Sequence, residues 1–180
     1  MNFKDFLNEN KENLLEEWFL WLIDHYPEPL KKFISKKEEP FTNPVGYNLY
    51  QNLGKLLSLI CSSEIHCTEF NDSLEDILKI RAVQDLSYWQ SANIFRFLWD
   101  KFNSSLPIDT KVESYRTDVD YYMTISEKAF ESFINIREKI AQIQREEIRN
   151  RYGKFLEKLN EKYKLMDNIL GESFANKIEE

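Results

Sequence analysis

Residues 112–143 read VESYRTDVDYYMTISEKAFESFINIREKIAQI, with neither proline nor glycine among them. Val112, Tyr115, Val119, Tyr122, Ser126, Ala129, Phe133, Ile136, Ile140 and Ile143 alternate steps of three and four, a heptad seam of four and a half repeats. From Pro107 to about Lys164 the only helix-weakening residue is Gly153, so the spacing predicts one very long helix. The next two seam positions are Glu147 and Asn150. The apolar track then resumes out of phase at Ile148, Tyr152, Phe155, Leu159, Tyr163 and Met166. That phase change marks a hinge or the end of a packed domain. A domain over residues 1–143 and a helical extension over 144–180 follow. The stretch Phe133, Ile136, Ile140 and Ile143 is the expected pairing seam with a second copy, although Val112 to Phe133 must also serve the core.

Upstream, Phe3, Phe6, Leu7, Leu14, Trp18, Leu22 and His25 recur at helical spacing as far as Pro27, and LKKFIS forms a short helical piece. Asn43 before Pro44 is a helix-start signal, Asn as cap and Pro at the first position. Gly46 and Gly54 in that helix point to close approach of a neighbour. Ser73 reads as the cap of a helix ending near Gln84. Ser87 with Gln90 forms a capping box opening a helix to Phe102. Its wide aromatic face (Trp89, Phe95, Phe97, Trp99, Phe102) is either core or the wall of an apolar pocket for which Tyr50, Trp89, Phe95 and Trp99 are the candidates.

Four glycines and five prolines in 180 residues disfavour hairpins, and the expected class is all-α. The net charge of −7 argues against nucleic acid or anionic membrane as the main partner. Residues 137–165 are locally basic, nine cations against five acids, and read as the solvated face of a coil. No apolar run is long enough to span a membrane, and the N-terminus MNFKDFLNENKENLLEE lacks the apolar centre of a signal peptide, so a cytoplasmic, soluble protein is expected. Cys61 and Cys67 lack metal-binding spacing and read as reduced structural thiols.

His25 and His66 are the only histidines. Neither falls where a haem would need its axial ligand, so no cofactor and no metal are expected. No nucleophile–base pair, carboxylate pair or phosphate loop stands out, and an enzyme is not expected. Arg81, flanked by Ile80, Ala82 and Val83, is either an i, i+4 partner of Asp85 or an internal ion pair or anion contact.

FTNPVGYNLYQNL at 41–53 and LEDILKIRAVQDLSYWQSANIF at 74–95 together resemble the N-terminal sensor domain of RsbR-type stressosome proteins, the RsbRD branch of RsbT co-antagonists. EEWFLWLIDHYP fits the same pattern. The motif positions are Asn43, Pro44, Val45 and Gly46, then Arg81, Ala82, Val83, Gln84 and Asp85. Tyr88 departs from the family, which more often has proline there. The resemblance implies a non-haem, globin-like domain that dimerises and signals through its C-terminal helix, continued as a coiled coil, to an unidentified downstream protein. Relatives usually continue into a STAS domain or a kinase, so the chain is expected to be either a stand-alone sensor or part of a longer protein. A carrier or sensor of a small apolar ligand such as a fatty acid is the alternative.

Overall fold

Asn43 illustrates how this chain builds its corners. Its Oδ1 accepts the Gly46 N–H at 3.0 Å, capping the helix that starts at Pro44, while its Nδ2 donates to the carbonyls of Phe33, Ile34 and Lys36 at 2.7, 3.2 and 3.0 Å. One buried amide thus satisfies the end of one helix and the start of the next. Gly46 sits inside this clasp, and a Cβ there would run into the Ile34 carbonyl and the Asn43 amide.

The computed structural model describes all residues except 38, 39, 84, 85, 108–111 and 176–180, and only the helical backbone of 112–114 and 165–175. The described chain is all-helical, without a strand: α1 Phe3–Glu9, α2 Lys11–Ile23, α3 Glu28–Ile34, α4 Pro44–Ser62, α5 Thr68–Ala82, α6 Tyr88–Ala92, α7 Arg96–Ser105 and α8 Val112–Ala175. It divides into two units, Met1–Arg137 and Glu138–Glu180. The expected long C-terminal helix is therefore α8, whose first part belongs to the first unit.

Within the first unit α4 is central and packs against α1, α2, α3 and α5, while α7 lies on α1 and α2. Trp18, Phe19, Phe70, Phe95 and Phe102 are sealed in the core. The Trp18 indole N–H donates to the Ile94 carbonyl at 2.7 Å, so the largest core side chain leaves no polar atom unpaired. The first part of α8 closes the unit. Ile125, Ala129, Phe133 and Ile136 are buried, and Asp118 accepts the Phe3 N–H at 2.9 Å.

Several boundaries differ from the sequence reading. The first helix breaks at Asn10, whose amide turns back onto the Phe6 carbonyl at 2.9 Å. The fifth begins at Thr68 under a Cys67 cap, leaving Ser73 buried mid-helix. The helix expected over 88–102 is two, because the backbone turns at Asn93 and the Ile94 carbonyl is held by Trp18. The Ser87–Gln90 capping box and the Asn43–Pro44 start are as expected.

Candidate functional site

The two motif segments do separate jobs. Asn43, half-buried Val45 and Gly46 form the α3–α4 clasp just described, with Pro44 at the first helical position. Arg81 is fully buried near the end of α5 and donates to the Leu22 carbonyl at 3.3 Å and the Gln90 carbonyl at 2.5 Å. Both carbonyls belong to helix C-terminal turns, of α2 and α6, where intrahelical donors run out and a cation complements the helix dipole. Arg81 therefore ties three helices together. Among the described residues no carboxylate pairs with it. Gln84 and Asp85, the partner expected for an i, i+4 pair, lie outside the described residues.

Burial pulls the Arg81 guanidinium below its ordinary pKa and pushes the Tyr26 phenol above its own. The Tyr26 ring lies 5.9 Å from Arg81 Cζ, yet neither Tyr26 Oη nor Arg81 Nε has a hydrogen bond of acceptable geometry. Ala82 is buried and Val83 is exposed.

A second arginine repeats the device at the end of α5. Arg137 Nη1 donates to the Ala82 carbonyl at 2.7 Å and sits 5.6 Å over the Tyr88 ring, which meets Phe133 edge-on at 5.9 Å. The α5–α6 corner is thereby joined to α8. Nothing at sequence level distinguishes Arg137 from the other cations of the basic run.

The four pocket candidates do not converge. Phe95 is core, against Trp18 and Phe70. Tyr50 packs edge-on to Phe19 and donates to Glu16 at 2.5 Å. Lys37 also pairs with Glu16, and these partners hold its carboxyl below the ordinary range. Trp99 stacks on Tyr122 at 4.6 Å. Trp89 alone of the four lines an apolar groove of about 780 Å³ between α6 and α8. Its walls also include Tyr88, Met123, Phe130 and the seam residues Tyr122 and Ser126, with the carboxylates of Glu127 and Glu131. Met123 and Phe130 lie off the heptad seam, which is why the seam did not point to them.

The seam residues also divide. Phe133 and Ile136 are buried inside the first unit, so they pack within their own subunit rather than in a pairing face. Ile140 is half-buried and Ile143 is exposed in the second. His25 turns Nδ1 to the Trp21 carbonyl at 3.0 Å, in the last turn of α2. Among the described residues no three His, Cys, Asp or Glu side chains gather as a metal-binding set, and no helix is long and apolar enough to cross a membrane. No protein-family model, curated protein or solved structure matches the chain.

Proposed function

We propose that the chain is a non-enzymatic sensory and relay module of the RsbR N-terminal type, with a globin-like first unit and a C-terminal helix that pairs with a second copy as a coiled coil. The observation that carries this is the second unit. Ile148, Tyr152, Phe155 and Tyr163 are all more than half exposed along one face of a helix, and an isolated helix with such a stripe needs a partner. A ligand or partner acting on the first unit would move α6, and Arg137 and Phe133 would carry the shift into α8. The change would reach the out-of-phase stretch from Glu147 to Gly153 as altered register, and a cytoplasmic downstream signalling protein would read it there.

Light scattering combined with hydrogen exchange tests the reading. A dimer at micromolar concentration is expected, with exchange of residues 138–164 changed by Arg137→Ala. A monomer, or exchange indifferent to Arg137, counts against it. The reading of a small apolar ligand draws on the aromatic groove between α6 and α8. Native mass spectrometry of freshly purified protein checks it: a surviving adduct favours it and a bare mass opposes it.

A further inference from the structure

Four large apolar side chains face solvent around one groove: Trp89 is 68% exposed, Tyr88 60%, Phe130 56% and Met123 48%. An apolar surface of this concentration marks a binding face. Among the described residues, the charged side chains of its wall are Glu127 and Glu131. The groove therefore suits an apolar helix with cationic flanks, and it would repel an acidic one.

The chain itself carries such a helix. Ile148, Tyr152 and Phe155 recur at four and three, each more than half exposed, and half-buried Leu159 continues the track. Residues 148–164 hold six basic and two acidic side chains, net +4. Met123 and Phe130 are seven residues apart, as are Ile148 and Phe155, so two helices meeting along these faces repeat in step. Arg149 and Arg151 flank the apolar track. Among the described residues Arg151 is held by an exposed i, i+4 pair with Glu147 at 2.5 Å, a weak tie easily exchanged.

We infer that the groove between α6 and α8 receives residues 148–163 of a second copy, with Arg149 and Arg151 meeting the partner's Glu127 and Glu131. This rests on the pairing reading above and deepens it: each copy offers one groove and one helix segment, so the contact is made twice per dimer. A small apolar ligand would fill the groove and leave the two carboxylates unused.

A charge swap in the full chain tests it. One protein carries Glu127→Lys with Glu131→Lys, the other Arg149→Glu with Arg151→Glu. Each alone faces like charges and is expected to self-associate at least about a hundredfold more weakly than the original chain. An equimolar mixture restores opposite charges at both contacts, and light scattering is expected to return the dimer mass. Variants that stay dimeric alone overturn the inference and leave pairing through Ile140 and Ile143 intact; a mixture that does not recover overturns it as well. A monomeric original chain overturns the pairing reading itself.

Trp89 gives a second readout that does not depend on how the charge variants fold. Diluting the original protein until it dissociates is expected to shift its tryptophan emission to the red, and Trp89→Phe to remove most of that shift. A shift that survives Trp89→Phe overturns the inference.

Discussion

Residues 1–137 and residues 138–164 use the same apolar side chains at the same helical spacing, with opposite outcomes. In the first unit Trp18, Phe95 and Phe102 are sealed by neighbouring helices; in the second Ile148, Tyr152 and Phe155 stand in water. Periodicity establishes that a segment is helical and which face is apolar. What covers that face depends on the rest of the chain, or on another chain.

The sharpest test of that contrast removes one ring from each region. Trp18→Ala takes away a fully buried indole and its hydrogen bond to Ile94, and should cost about 3–5 kcal/mol in urea unfolding. A loss below about 1 kcal/mol would mean the first unit is not packed around Trp18. At a dilution where the chain is monomeric, Tyr152→Ala should leave the unfolding of the first unit unchanged within about 0.5 kcal/mol.

Lysine substitutions separate the two halves of the heptad seam. Ile136→Lys places a charge in the first unit's core and should destabilise folding by about 3 kcal/mol or more. Ile143→Lys should leave folding intact and weaken self-association about tenfold, measured by sedimentation across a dilution series. If Ile136→Lys merely dissociates the dimer, the boundary between buried and pairing positions is misplaced.

Asn43→Ala comes next. It loses the α4 cap and the amide donor to the Ile34 and Lys36 carbonyls, while the Phe33 carbonyl keeps the Lys36 N–H at 3.3 Å, for a cost of about 2 kcal/mol in thermal or urea unfolding. An effect under about 0.5 kcal/mol would reduce the clasp to an ordinary cap.

The smallest effect is confined to alkaline pH. Tyr121 is half-buried and donates to the Ile60 carbonyl at 2.8 Å, and burial pushes its phenol up to about 12. The folded chain holds that proton more tightly than the unfolded one, whose phenol titrates near 10. The resulting stabilisation is complete below pH 10 and is lost as pH rises towards 12. Tyr121→Phe should flatten the fall in melting temperature across that window, and an unchanged slope would count against it.

Local signals in the sequence were enough for the helical class, the Asn43–Pro44 start, the Ser87–Gln90 capping box and the long α8. The break at Asn93 was not legible, because it depends on Trp18, 76 residues before Ile94. Nor was the corner: Arg81 stood out as polar among apolar residues, but its acceptors are carbonyls on α2 and α6 that no spacing rule reaches. The groove was missed for the same reason. Met123 and Phe130 look like ordinary off-seam residues until α6 is placed beside them.

Gly46 shows how little freedom that first unit leaves at its tightest point. The first turn of α4 is seated directly on the last carbonyls of α3, with no room for even one methyl group. Gly153 meets nothing, and Gly54 only the flexible tip of Leu15 at 3.5 Å. In a library carrying every amino acid at these three places, position 46 should return glycine alone, while 153 should accept almost anything that keeps a helix, alanine before all others. Three identical letters would then carry very unequal amounts of information about the fold.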